Sequence, residues 1–590
     1  MRKIITRFVS KITGRNRRRF ELERERYKSW IKNNEPSKEE LEKQRIFKFE
    51  YEPKISIIVP MYNTPISFFE ELIECMMAQT YGNWELCLAD GSPQKSNKIE
   101  EICRKDERIK YNFLNSNLGI SGNTNEALKL ATGDYIALLD HDDLLPEFCL
   151  YEIVKCINSH RDAEFIYTDE DKIIETKENR CDPHFKPDFS PDTLNSNNYI
   201  THLSIFKREL MNKLGGFKDE YNGAQDYDII FRATENAKEI VHIPKILYHW
   251  RIHSNSTAMK AAAKPYAYEA GIKAIQDHLN RLDLKAKVSQ SKELIGTYKV
   301  QYEVIGNPKV SIIIPNKDGI NILKKCINSI LNKSTYSNYE ILIVENNSQE
   351  EKTFAYYEKL KSNSKIKILY YPEKGFNYSK IINFGVKNSD AEFILQLNND
   401  TEVITPDWLE QFIGFAQRKE IGAVGAKLYY ADKSIQHAGM AIGIAGIVAN
   451  LYTRLPYGDH AYFGKEDVIA NVTGVTGACL FSRREIYEEV GYMEEDKFKV
   501  AFNDADFCLK IRDKGYLIVY NPYIELMHYE SKTRGYEDTP EKKQRFEREC
   551  ENFKSTWQKN LDKGDPYYSV NFSLDTNQCN INSNKIKYKE

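Results

Sequence analysis

The sequence predicts an α/β protein of two similar domains in tandem, each built on a mostly parallel sheet with helices on both faces. Three observations carry this. One pattern occurs twice, as KISIIVP at 54–60 and as KVSIIIP at 309–315. Within each copy, short β-branched runs alternate with stretches of helical spacing, the pattern of strands joined by helical crossovers. The apolar runs also end on acids: Asp90 and the DHDD cluster at 140–143 in the first copy, Glu345 and the NND cluster at 398–400 in the second. A repeat of about 250 residues is far longer than a solenoid period of roughly 20–50, so it reads as a duplicated domain.

The elements follow in order. Residues 1–45 form a basic, then helical extension. The first domain spans 46–295, the second 296–565, and a polar tail of 566–590 is expected to be disordered near its end. Residues 55–59 are short and β-branched, hence a buried strand. Phe68, Phe69, Leu72, Ile73, Met76 and Met77 recur at helical spacing over 66–79, and 84–89 is a second strand. A short helix over 121–131 and an apolar strand over 134–139 come next. The copies stay in register: Asn125 precedes Asp140 by fifteen residues, as Asn383 precedes Asn398. In sheets of this kind ligands bind beyond the carboxyl ends of the strands, where these acids fall.

Composition narrows the function. Apolar and charged fractions of 41% and 29% are those of a soluble globular protein, and a net charge of −2 argues against a nucleic-acid partner. The eleven cysteines are scattered, without CxxC spacing, and read as reduced thiols of a cytoplasmic protein. No apolar run is long enough to span a membrane. The nearest, AGMAIGIAGIVA at 438–449, reads as a substrate loop or core segment. The first twenty residues hold eight Lys and Arg and no acid, with Ile4, Ile5, Phe8, Val9 and Ile12 at helical spacing. That suits a helix lying on anionic lipid at the inner face of the plasma membrane, or a solvated basic arm.

Carboxylates crowded as in Asp140-His141-Asp142-Asp143 repel one another unless a cation sits among them, and hard oxygen ligands favour Mg or Mn. The cluster could instead be a polar turn before the next helix. Each copy has a later acidic pair, Asp226 with Asp228 and Asp504 with Asp506, and then a histidine, His249 or His528, at matched spacing. Asp226 and Asp504 stand where helix-like runs begin, so they can cap helices as well as do chemistry.

Together IIVPMYN, LADGS, ALLDHDD, GAQDYD and YHWRIHSNST resemble the inverting family 2 glycosyltransferases of the GT-A (Rossmann-like) fold. The second set, IIIPNKDG, IVENNS, LQLNNDT, FNDADFCLKI and MHYESKTRG, is similar to the rhamnosyl- and galactofuranosyltransferase-like branch that builds bacterial surface polysaccharides. The resemblance implies a nucleotide-sugar donor, a Mn or Mg ion, and a growing, lipid-linked glycan as acceptor. It implies that Pro60, Tyr62 and Asp90, with Pro315 and Glu345, hold the nucleotide base. It gives Asn125, Asp140, Asn383 and Asn398 to the donor, and Asp142, His249, Asp400 and His528 to the metal. Asp226 and Asp504 become the general bases. His253 competes with His249, Arg251 and Arg534 are candidates for phosphate, and Trp250 and Tyr529 for stacking on a sugar. Asn398 departs from the family's acid and brings no charge to the metal. Two other readings stand beside this one: a non-catalytic second domain, and a sugar nucleotidyltransferase. The latter is disfavoured because PMYNTP and PNKDGI are not Gly-rich, basic phosphate loops.

Overall fold

The structure, a computed structural model, describes residues 14–588 except 175, 254–264 and 530–538, with the backbone alone for 14–20 and 265. Strand β1 (Ile55–Met61) is buried along its whole length, as a β-branched run must be at the centre of a sheet covered on both faces. It pairs in parallel with β2 (Trp84–Asp90) on one side and β4 (Tyr135–Leu138) on the other, and β3 (Ile109–Phe113) extends the parallel half beyond β2. Beyond β4 the sheet becomes mixed: β7 (Ser204–Lys207) runs antiparallel to both β4 and β5 (Ala163–Ile174). Next, β6 (Thr176–His184) is antiparallel to β5, while β8 (Glu239–Ile252) is parallel to it. The helices Ile66–Met77 and Gly119–Leu130 form where the spacing predicts them.

A hairpin of β9 (Ala286–Gln290) and β10 (Tyr298–Tyr302) connects to the second sheet. There β11 (Val310–Asn316) lies between β12 (Tyr339–Glu345) and β14 (Phe393–Leu397), and β13 (Ile366–Tyr370) flanks β12. The remaining strands are β15 (Thr401–Val403), β16 (Ile421–Tyr429), β17 (Ile435–His437), β18 (Met440–Ile442), β19 (Val448–Asn450), β20 (Ala470–Asn471), β21 (Cys479–Arg483) and β22 (Leu517–His528). The first sheet runs β3-β2-β1-β4-β7-β5, with β8 on β5, and the second runs β13-β12-β11-β14-β21-β16-β22. These are the same order. Register agrees too: Ile55 faces Trp84 and Tyr135, and Val310 faces Tyr339 and Phe393.

A matched polar knot sits under each sheet. Ser56 donates to buried Glu85 at 2.6 Å, and Ser311 to Glu340 at 2.7 Å. Lys110 and Lys367 close these pairs at 2.8 Å each. A buried carboxylate is tolerated only with partners of this kind.

After its last long strand each copy adds a helix that packs on the helix carrying the late acids. Pro265–Arg281 lies on Gln225–Asn236, where His278 meets Glu235 at 2.6 Å. Pro540–Lys563 lies on Asn503–Asp513, where the Trp557 indole donates to Asp506 at 3.0 Å. The glycine-rich 438–449 stretch is the β18–β19 hairpin, and Met440 and Ile442 pack with Phe553 and Trp557.

The tail departs from expectation. Through Tyr588 it is described and packed, with Tyr568, Phe572, Cys579 and Ile581 buried. Asn571 accepts from Trp30 of the N-terminal helix (Gly14–Asn34) at 3.1 Å and donates to Asp169 of β5 at 3.2 Å. A few apolar side chains placed over a groove outweigh a polar composition when the backbone is tied at both sides. The lipid-contact expectation for 1–20 falls largely outside the described residues. No helix of the described residues is long and apolar enough to cross a membrane, and all eleven cysteines are free thiols.

Candidate active sites

The first site begins where β1 and β2 end. Pro60 is buried next to Met61, whose register partner is Asp90, and Tyr62 stands beyond the strand, 45% exposed. Asp90 is buried and accepts from the Ser92 amide at 2.9 Å and the Tyr111 hydroxyl at 2.9 Å. The second site repeats this. Asn316 faces Glu345, which accepts from Ser348 Oγ at 2.7 Å and the Tyr357 hydroxyl at 2.6 Å. Each acid is thus fixed in place at the carboxyl edge by a serine and a tyrosine.

At the end of β4, Asp140 is exposed and Asp142 is met by His253, whose Nε2 lies 2.9 Å from its carboxylate. At the end of β14, Asp400 is met by His528, whose Nε2 lies 3.2 Å from Oδ1 and 3.4 Å from the amide of Asn398. Both copies therefore pair one carboxylate with one imidazole. The first copy does so with His253, the competing candidate. His249 faces its register partner Asp171 in β5, with Nδ1 2.5 Å from that carboxylate, and Asp171 also holds Tyr27 and Arg180. Among the described residues the one group of three convergent ligands, His460, Glu466 and Asp467, is built apart from these pairs, and Lys427 holds its Asp467 at 2.5 Å. Carboxylate plus imidazole suits Mn or Mg when substrate oxygens complete the shell.

The late acids divide their work. Asp226 and Asp504 are half-buried at the starts of their helices. Asp226 accepts from Asn198 at 3.0 Å, and Asp504 from the Gly477 amide at 2.9 Å. Burial pushes both carboxyls above the ordinary aspartate range, against the lowering pull of the His202 charge on Asp226 and of the Gly477 hydrogen bond on Asp504. Asp228 and Asp506 are instead taken by Arg232 at 2.5 Å and Lys510 at 3.0 Å.

Asn125 and Asn383 have one role in common. Asn125 donates to the Phe217 carbonyl and accepts from its amide, both at 2.8 Å. Asn383 does the same with Met493, at 2.8 and 3.0 Å. They pin the turn before each late acidic helix. The close approach explains one glycine: Gly216 has φ +74°, and a Cβ there would lie 2.5 Å from Asn125 Oδ1. Arg251 is buried, donating to the Asp142 carbonyl at 2.6 Å and to Glu71 at 2.5 Å. Tyr529 donates to Glu402 at 2.8 Å, and Trp250 lies 5.8 Å from the His202 ring. Arg534 lies outside the described residues.

Two features have no sequence signal. His202 lies between Glu170 (3.1 Å) and Asp140 (4.0 Å) and stacks on Tyr248. Burial would lower its pKa, but the carboxylates of Glu170, Asp140 and Asp143 win and raise it to about 9, so it is a cation at neutral pH. Strand register makes Ala478 its counterpart: Tyr135 faces Lys207 as Phe393 faces Arg483, five residues on in each case. The second feature is a cavity of about 580 Å³ in the second domain, lined by Pro315, Asn398, Asp400, Asp504 and His528, and also by Lys542 and Arg545 of the C-terminal helix.

A sheet of this order, with acids along its carboxyl edge, is the GT-A glycosyltransferase fold, present here in two copies. The family model described as Glycosyl transferase family 2 matches residues 56–215 and 311–491, more than half of the chain, and the protein belongs to that family. It is 42% identical over 538 residues to the uncharacterized protein y4gI of Sinorhizobium fredii, covering 90% of this chain and 59% of that protein. It is 32% identical over 560 residues to the O-antigen biosynthesis protein RfbC of Myxococcus xanthus, covering 94% and 43%. The chain thus spans about half the length of these relatives. A crystal structure of S. aureus TarS 1–349 in complex with UDP-GlcNAc matches with 22% identity over 38% of this chain and 67% of that one, at a TM-score of 0.33.

Proposed function

We propose that the protein transfers sugars from nucleotide-sugar donors to a growing, lipid-linked bacterial surface polysaccharide, with inversion at the anomeric carbon and one active site per domain. The observation that carries this is the repeated set at the carboxyl edge. Each sheet supplies a buried acid held by serine and tyrosine, a carboxylate–imidazole pair, and a half-buried helix-start aspartate with a raised pKa. The O-antigen role printed for the Myxococcus relative supports the polysaccharide acceptor.

In each site the aspartate (Asp226 or Asp504) takes the proton of an acceptor hydroxyl as that oxygen attacks the anomeric carbon. The new C–O bond forms on the face opposite the departing oxygen. The old C–O bond breaks, and its electron pair leaves with the nucleoside diphosphate. A single displacement of this kind inverts the centre. A base with a raised pKa is the stronger proton acceptor, provided it is ionised at the working pH. Asp142 with His253, and Asp400 with His528, would hold the Mn or Mg ion. When bound, that ion supplies positive charge to the leaving diphosphate.

The reading in which the second domain only binds or scaffolds draws no support from its site, which keeps the pair, the base and a cavity large enough for a nucleotide. Residues 1–20 would place the enzyme on the inner face of the plasma membrane, near a lipid-linked acceptor. A screen of UDP- and dTDP-sugars with the intact chain, Mn or Mg and a polyprenyl-diphosphate-linked acceptor tests the proposal. Release of nucleoside diphosphate with a β-linked product from an α-linked donor is expected. Pyrophosphate release from a nucleoside triphosphate plus sugar phosphate would overturn it.

A further inference from the structure

The helix Pro540–Lys563 does more than cover the second domain. Glu549 accepts from three consecutive amides, Lys499 at 3.1 Å, Val500 at 3.2 Å and Ala501 at 2.7 Å, in the segment that leads directly into Asn503 and Asp504. Two turns on, the Trp557 indole holds Asp506 at 3.0 Å. Between them Phe553 packs on Phe498 and Phe502, with ring centroids 6.1 and 5.5 Å apart. Three anchors over about 12 Å of helix fix its rotation and rise against the base-bearing helix. That fixes where its first turn goes. Lys542 and Arg545, three apart and so on one face, line the cavity with His528, Asp400 and Asp504.

The cavity is built for a polar ligand. Among the described residues His528 Nδ1 and Gln436 Oε1 have no hydrogen-bond partner, although these residues are only 4% and 5% exposed and both line the space. A buried polar atom left without a partner is destabilising, and a ligand that meets it offsets that cost. The lining is continuous from Pro315, Asn316 and Lys317, at the strand end where the base is expected, to Asp400 and His528. One space thus joins the place expected for the base to the place expected for the metal. The helix of the first copy differs at the matching positions. Counting from Pro265 as from Pro540, it carries Ala267 and Ala270 where Lys542 and Arg545 stand.

We infer that the C-terminal helix is part of the second donor site, where Lys542 and Arg545 bind the diphosphate of the nucleotide donor. This rests on the donor-site reading above and adds the residues that meet the leaving group. Ammonium and guanidinium are the natural partners of a diphosphate, and charge-assisted bonds of this kind are about twice as strong as neutral ones. They bring positive charge to the diphosphate in a site where Asn398 brings no charge to a metal.

The test uses the intact chain with the first site silenced by Asp90→Ala and Asp142→Ala. Binding of UDP, dTDP, uridine, thymidine and farnesyl diphosphate is measured by calorimetry at two salt concentrations. Lys542→Ala with Arg545→Ala should raise the Kd for UDP or dTDP about 10–100-fold and flatten its salt dependence, leaving the nucleosides unchanged. Lys543→Ala, on an exposed neighbour, should change nothing, and Lys542→Arg with Arg545→Lys should keep most of the affinity. Unchanged nucleoside diphosphate binding in the alanine variant would overturn the inference, as would an equal loss of nucleoside binding. A loss confined to farnesyl diphosphate would give the helix to the acceptor instead and also overturn it. Should the Lys542–Arg545 background bind no nucleoside diphosphate at all, the donor-site reading itself falls.

Discussion

The two candidate sites occupy equivalent strands of their sheets and differ in charge. In the first, Asp140 faces the protonated His202 across 4.0 Å. In the second, the equivalent positions are Asn398 and Ala478, both neutral. An acid and a cation have thus been lost or gained together, which keeps the local balance. The cavity of the second site is lined instead by Lys542 and Arg545, near the start of the C-terminal helix. The comparison teaches that the duplicated sheet fixes where a carboxylate–imidazole pair and a base must stand, while neighbouring elements set the charge around them.

The largest effect is expected at the bases. Asp226→Asn or Asp504→Asn should slow its own transfer step by about 10²–10⁴-fold and leave the other step intact. The sign of the pH dependence follows from the raised pKa values. The base works ionised, so kcat/KM should fall as pH drops through a value above the ordinary aspartate pKa, and level off above it. A profile flat down to the normal aspartate range would contradict this.

Next come the histidines. His253→Ala should weaken Mn binding to the first site about 10–100-fold, read by electron paramagnetic resonance of the bound ion. His249→Ala should leave Mn affinity alone and lower the urea midpoint, because it removes one of the partners of the buried Asp171 carboxylate. If the two variants exchange these outcomes, the pairing seen here is not the metal pair.

A double-mutant cycle measures the charge pair itself. Asp140→Asn and His202→Ala should each raise the donor KM of the first step, and the double variant, which imitates the second site, should recover part of the loss. The coupling should be about 0.5–3 kcal/mol. Strict additivity would mean that the two residues act apart.

The smallest effects are structural. Asn125→Ala or Asn383→Ala should cost about 1–3 kcal/mol of stability by leaving both a buried amide and a carbonyl without their partner. Glu85 gives a check by pH. Burial would raise its pKa, yet hydrogen bonds from Lys110, Ser56 and Thr132 hold it well below the usual carboxylate range. Its contribution should be complete above the unfolded value near 4.5 and fade as pH falls toward the depressed folded value. Glu85→Gln should remove that dependence.

Much of this was legible in the sequence. β-branched runs set the central strands, and the acids at their ends fell on the carboxyl edge because side chains just past a parallel strand have nowhere else to point. What could not be read depended on long-range pairing. His249 lies on β8 and His253 just past its end, four residues on. The bulged register of β5 against β8 sets His249 opposite Asp171, and the chain just beyond β8 brings His253 to Asp142. A serine within three residues after His253 and after His528 is the one local signal that favoured that match. His202 has no counterpart to flag it, since its equivalent is an alanine. The roles of Asn125 and Asn383 were also hidden, because a side chain bound to a distant backbone looks like any other asparagine. The packed tail misled for a related reason: Tyr568, Phe572 and Ile581 are few, but all find a groove.

The central claim is that both domains are enzymes. Its most direct measurement is the linkage analysis of products made by Asp226→Asn, by Asp504→Asn and by the two variants mixed, with all donors present. Each variant alone should lack a different linkage, and the mixture should restore the product of the native chain. If Asp504→Asn makes every linkage at the native rate, the second domain does not transfer sugar and the two-site account is wrong.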